Sequence, residues 1–127
     1  MNDSSVLAAW RSGDGDSLHD VLAEAVTFSS PVADYHGRPN ASHLLGLIAE
    51  LLEEVDQTGA YGDERDGVYA FTARVGDRQV QGIVREERTE TGELTHVTLF
   101  LRPYAALRTA IGGMREALER SPLPARA

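Results

Sequence analysis

The chain has no cysteine, which rules out disulfides, thiolate nucleophiles and thiolate-bound zinc together. It also has no lysine: all 12 basic residues are arginines, set against 20 acidic residues for a net charge of −8. No run of Arg makes a basic stripe, and a surface of this sign repels phosphate backbones. Nucleic acid and anionic membrane surfaces are therefore not expected partners. Long hydrophobic runs are missing as well. The most apolar stretch, Leu44 to Leu52, is interrupted by Glu50 and falls far short of the roughly 20 residues that span a bilayer. Met1-Asn2-Asp3-Ser4 is acidic and has no apolar signal core. These absences lead to the expectation of a cytoplasmic protein without cofactor or metal.

The 127 residues suit one domain, and a chain of this size buries roughly two-thirds of its unfolded surface. A domain over residues 1–120 is expected, with a disordered tail at 121–127. Residues 4–12 read as a short helix capped by Asp3 or Ser4, with Val6, Leu7 and Trp10 on one face. Ser12 to Asp16 is a turn. Ser17 and Asp20 have capping-box spacing, and Leu18, Val21, Leu22 and Ala25 form the stripe of a second helix. Val26 to Val32 reads as a strand, and Tyr35 to Arg38 as a short extended piece. A third helix opens at Pro39-Asn40 with Asn40 as its cap, and its stripe runs through Leu44, Leu47, Ile48, Leu51 and Val55.

The period then changes to two. Strands are predicted at 57–61, 68–75, 79–88 and 94–101, joined by turns at 63–67, Gly76-Asp77 and 89–93. Pro103 opens a last helix striped by Tyr104, Leu107, Ile111, Met114 and Leu118. Gly112 and Gly113 interrupt it, which predicts a kink or a close neighbour. The class is therefore α+β. A curved, cone-shaped sheet, antiparallel through its later strands and mixed overall, wraps N-terminal helices and a long third helix, with a further C-terminal helix. Short turns leave the later strands no choice but antiparallel pairing.

Three stretches carry a family resemblance: Phe28-Ser29-Ser30-Pro31-Val32 with Tyr35-His36-Gly37-Arg38; the paired strands 68–75 and 79–88 with Gly82; and Gly92-Glu93-Leu94 followed by Arg102-Pro103 and Leu107. Here the chain resembles the nuclear-transport-factor-2-like superfamily, in particular its bacterial SnoaL-like branch. The resemblance implies a pocket between the concave sheet and the helices, and a homodimer through the outer sheet face. The fold hosts isomerases, cyclases, dehydratases, epoxide hydrolases and non-catalytic binders, so it does not specify an activity.

The resemblance also implies where catalytic groups would stand, and they are not there. Ser30 occupies the position of the isomerase carboxylate base, Val84 that of the cyclase Asp, and Ser5 or Val6 that of the isomerase phenol. Glu86 and Glu87 are expected near the exposed end of their strand, and no Asp-Arg-Asp relay is evident. A hydroxyl alone is no base near neutral pH. The expected function is a binding pocket for a small apolar molecule, lined by Trp10, Ser30, Tyr35, Tyr69, Val84, Leu99 and Arg102. The alternative is an isomerase, cyclase or lyase using His36 or Tyr35 as acid/base, with Arg38 or Arg102 orienting an anion. His36 and His43 match no zinc spacing, and the first reading of both is as turn and first-turn histidines. His96 is expected on the outer sheet face, and His19 on the wet side of its helix. Asp14-Gly15-Asp16 fails the calcium-loop pattern, with His19 and Ala25 where Gly and Glu are required. It also fails the dinucleotide pattern, because Leu18 replaces the third Gly.

Overall fold

Six strands form one sheet in the order β2-β1-β6-β5-β4-β3, seen in a computed structural model that describes residues 3–125. The strands are β1 Leu22–Ser29, β2 Asp34–His36, β3 Glu53–Gly62, β4 Asp66–Val75, β5 Arg78–Arg88 and β6 Leu94–Arg102; the helices are α1 Ser5–Ser12, α2 Arg38–Leu51 and α3 Tyr104–Arg120. β3 to β6 pair antiparallel, as their short turns require, while β1 runs parallel to β6. The fold is thus α+β with a mixed, curved sheet around the helices.

The sheet's two faces follow from its pleat. On β4, Gly67, Tyr69, Phe71, Ala73 and Val75 are buried and alternate with half-buried neighbours. That alternation puts every second residue against the core. α1, α2 and a one-turn-tight helix at Gly15–Val21 cover the concave side. Trp10 fills its centre: its ring meets Phe71 edge-on at 5.9 Å and its Nε1–H donates to Leu45 O at 3.0 Å. Ser4 caps α1, accepting from Leu7 N at 2.9 Å.

Several expectations are corrected. The second helix is a short 3-10 segment, and the chain is extended from Leu22 onward. Leu18 and Leu22 are buried on either reading, but pairing of Leu22 with Leu94 decides for the strand. Ser17 Oγ donates to Asp14 O rather than closing a capping box. α2 ends at Leu51, four residues before the end of its apparent stripe. Val55 is buried from β3 instead, and Glu54, at φ 55°, sits inside β3 where its register with β4 shifts between Glu53 and Asp56. Asn40 does not cap α2. Gly37 holds that position at φ 93°, a conformation that favours glycine, and the buried Asn40 side chain accepts from Ala125 N at 3.0 Å.

Pro103 precedes α3 rather than standing in its first turn, and Tyr104 is 72% exposed, off the apolar stripe. Gly113 lies against Leu51 of α2, the close neighbour that its sequence position predicted. Residues 121–125, expected to fray, return to α2. His43 Nε2 lies 2.7 Å from Ser121 O, and Leu123 packs on the core. The last two residues of that expected tail lie outside the described residues. Glu86 is 1% exposed and not at an open strand end.

Candidate functional site

The apolar stripes of α2 and α3 face each other across β6 and do not close on one another. Between them lies a cavity of about 440 Å³, within the size range of small-molecule sites. α2 gives Leu44, Ile48 and Leu51 to its wall; α3 gives Leu107, Ala110, Ile111, Met114 and Leu118; β6 gives Leu99 and Leu101; Phe28, Ser30, Pro31, Val32 and Tyr35 come from the β1–β2 corner. The corner is built by its own hydroxyl. Ser30 Oγ donates to Ala33 O at 3.0 Å and accepts from Val32 N and Ala33 N at 3.2 and 3.1 Å. With those bonds made, Ser30 has little left to offer a ligand. Tyr35 stacks on Phe28 with ring centroids 6.5 Å apart, across the β1–β2 pairing.

The wall's charged side chains are Arg115 and Glu119, both exposed, one turn apart on α3. Among the described residues of the wall no acid and no imidazole stands deeper. Among the described residues no group of three or more His, Asp or Glu is placed to hold a metal, and no helix is long and apolar enough to cross a membrane.

Of the residues expected at the pocket, Ser30, Tyr35 and Leu99 line it, and Trp10, Tyr69, Val84, Arg102 and His36 do not. Trp10, on α1, and Val84, on β5, are core residues. Tyr69 is buried elsewhere on β4, where burial and then the neighbouring Glu86 push its phenol above the usual 10.0. Arg102 lies on the outer sheet face and donates to Gln81 Oε1. His36 also points outward. It is exposed on β2, its Nδ1 3.1 Å from Thr27 Oγ1. Arg38 starts α2, half-buried, its Nε without a partner among the described residues, and it does not reach the cavity wall. His43 lies past the first turn of α2, its Nε2 2.7 Å from Ser121 O, and His19 is exposed on the 3-10 segment.

Nothing in the sequence marked the α2 and α3 residues as pocket residues. Their stripes were visible, but a stripe that packs and a stripe that faces a void have the same period.

The one deeply buried carboxylate among the described residues, Glu86, is taken up by structure: it accepts from Val6 N at 3.2 Å, from Ser4 Oγ and from Arg88 Nη2 at 2.8 Å.

No protein-family profile matches the sequence, and no curated protein matches it. Solved structures do. An uncharacterized bacterial protein with a cystatin-like fold from Silicibacter pomeroyi superimposes with a TM-score of 0.84 at 22% identity, over 92% of this chain and 87% of that one. A steroid delta-isomerase from Pseudomonas aeruginosa gives 0.84 at 23% identity, over 94% and 96%. An NTF-2-like protein of unknown function from Burkholderia xenovorans gives 0.67 at 16% identity, over 82% and 86%. At these identities the likeness establishes the fold, which is nuclear-transport-factor-2-like, and no more than the fold.

Proposed function

We propose that this chain is a SnoaL-like pocket protein that binds a small, largely apolar molecule between α2, α3 and β6 without converting it, and that it does so as a homodimer. The carrying observation is the cavity of about 440 Å³ with apolar walls and its charged groups at exposed positions. Such a space favours an apolar body through burial, at roughly 25 cal/mol per Å² removed from water. It supplies no base or acid at depth to act on that body.

The test is a thermal-shift screen of the purified chain against steroids, fused-ring polyketide aromatics and medium-chain fatty acids, beside the variant Ile111→Trp, which fills the cavity. A ligand at about 100 times its Kd stabilises by about 2.7 kcal/mol, which is several degrees for a domain of this size. The reading requires a shift in the wild-type chain that Ile111→Trp loses. No shift with any class, or equal shifts in both proteins, overturns it.

A second reading, an isomerase or lyase, draws on Tyr35, which lines the cavity with no hydrogen bond from its hydroxyl to a described residue. A steroid delta-isomerase shares the fold. Turnover of an unconjugated ketosteroid to its conjugated isomer, lost in Tyr35→Phe, would favour it over simple binding.

A further inference from the structure

The convex face of the sheet carries a second arrangement, separate from the cavity. Ser29 on β1, His96 on β6 and Glu87 on β5 stand on three adjacent strands with their side chains on one side. Ser29 Oγ is 2.8 Å from His96 Nε2. His96 Nδ1, the other ring nitrogen, is 3.6 Å from Glu87 Oε2. The imidazole is thus hydrogen-bonded to a hydroxyl through one nitrogen, and a carboxylate stands beside the other just beyond hydrogen-bond distance. Arg85 fixes the far side of the carboxylate, its Nη2 3.7 Å from Glu87 Oε1, and is itself held by Asp66 at 2.7 Å.

The position of the three groups suits chemistry. The His96 and Glu87 side chains are 39% and 33% exposed, open enough to meet a substrate yet anchored on paired strands. Side chains on regular elements hold their geometry better than side chains on loops. Thr98 lies directly beside Ser29 in the β1–β6 register, and its hydroxyl bonds to no described residue.

We propose that Ser29 is a nucleophilic serine on the convex face, with His96 as its general base and Glu87 as the positioning carboxylate, and that it accepts acyl groups from small activated esters. A hydroxyl bonded to an imidazole base, with a carboxylate close enough to take up the base's other N–H when substrate binds, is what lets a hydroxyl react near neutral pH. Ser29 Oγ attacks the ester carbonyl carbon while its proton passes to His96 Nε2. The carbon–oxygen bond to the leaving alcohol breaks, and that alcohol takes the proton from Nε2. Water then repeats the sequence, releasing the acid and restoring the Ser29 hydroxyl. Glu87 keeps the Nδ1–H tautomer in place. Thr98 is positioned to donate to the carbonyl oxygen as it gains charge.

The experiment treats the whole chain with a fluorophosphonate reagent and maps the adduct by peptide mass spectrometry, with p-nitrophenyl acetate hydrolysis as the kinetic readout. The expected result is a single adduct on Ser29, absent from Ser29→Ala. Labelling should be about 100-fold slower in His96→Gln, a typical general-base contribution. The pH dependence of labelling should be lost in that variant and displaced in Glu87→Gln, although both variants melt within a few degrees of the parent. Phe100→Asp, which breaks the neighbouring apolar patch, is labelled in parallel so that self-association cannot hide the serine. No Ser29 adduct in either wild type or Phe100→Asp overturns the proposal. So does a Ser29 adduct that forms equally fast in His96→Gln.

Discussion

Glu86 and Arg88 meet at 2.8 Å on the concave side of β5, the carboxylate wholly buried and the guanidinium mostly so. The pair also ties down α1. The carboxylate accepts from Ser4 Oγ and Val6 N, and the guanidinium donates to Ser5 Oγ and to Gly92 O, both at 2.8 Å. A buried pair adds little over an apolar isostere, but losing one partner strands the other charge. Glu86→Ala should therefore cost about 3–5 kcal/mol, and Glu86→Gln about 1–3 kcal/mol. Urea denaturation followed by Trp10 fluorescence reads both. A loss under 1 kcal/mol for the alanine would mean that α1 is held by packing alone.

The glycines of the sheet and of α3 should answer oppositely to alanine. A Cβ on Gly82 would stand 2.5 Å from the Phe71 ring and 2.8 Å from Phe100 O. The ring cannot retreat, because Trp10 lies behind it. Gly82→Ala should cost about 1–3 kcal/mol, as overpacking does. A Cβ on Gly112 meets nothing within 4 Å, so Gly112→Ala should gain about 0.5–1 kcal/mol from helix propensity. At Gly113 the Cβ would press on Leu51 Cδ1 at 2.6 Å, the far end of a flexible side chain. Its gain should be smaller, and its effect should reach the cavity that Leu51 lines. Melting temperatures of the three variants, taken side by side, decide this.

Arg85 holds the Asp66 carboxyl below its ordinary value of 3.8, first through the paired hydrogen bonds at 2.7 and 2.9 Å. The sign is that of a depressed acid: its contribution to stability is present above the unfolded value and is lost as pH falls through the folded one. The stability difference between wild type and Asp66→Asn should stay constant from neutral pH to about pH 5 and shrink below about pH 4. Both groups are exposed, so the difference should be small and weaken with salt. A difference that grows as pH falls would show that Asp66 acts through something other than this pair.

The strands from Asp66 onward were legible because their two-residue period, their Gly turns and their β-branched residues agree. The middle of the chain was not. Leu18, Leu22 and Val55 are buried whether their segments are helical or extended, so burial pattern alone could not choose. Pairing of β1 with β6, some 70 residues away, made the choice at Leu22. The site was legible at Ser30, Tyr35 and Leu99 only. Ser30 was found through the position it shares with the base of the resembling family, just before a proline, and Tyr35 as an aromatic able to line a cavity. Trp10 and Tyr69 were misplaced because an aromatic that lines a cavity and one that fills a core look alike in sequence. His36 and Arg102 fell on the outward parity of their strands, and a register set by distant partners fixes that parity.

The outer face offers the last prediction. Ala70, Ile83 and Phe100 lie in one row across β4, β5 and β6, and Ile83 and Phe100 are 40% and 57% exposed. In the adjacent row Tyr61 of β3 adds a ring that is 66% exposed. Covering this row with a second copy about a two-fold axis would set each row against its own image, so one patch serves both subunits. The flanking charges are already neutralised within the sheet by the Arg85–Asp66 pair, leaving little to repel a like surface. Ile83→Arg would place two guanidiniums face to face at that axis without touching the core, since Ile83 is on the outward parity. Light scattering should then move from twice 13.8 kDa to 13.8 kDa, with melting of the monomer unchanged. If the parent chain itself scatters at 13.8 kDa at high micromolar concentration, the row is an exposed surface and not an interface, and the substitution will be silent.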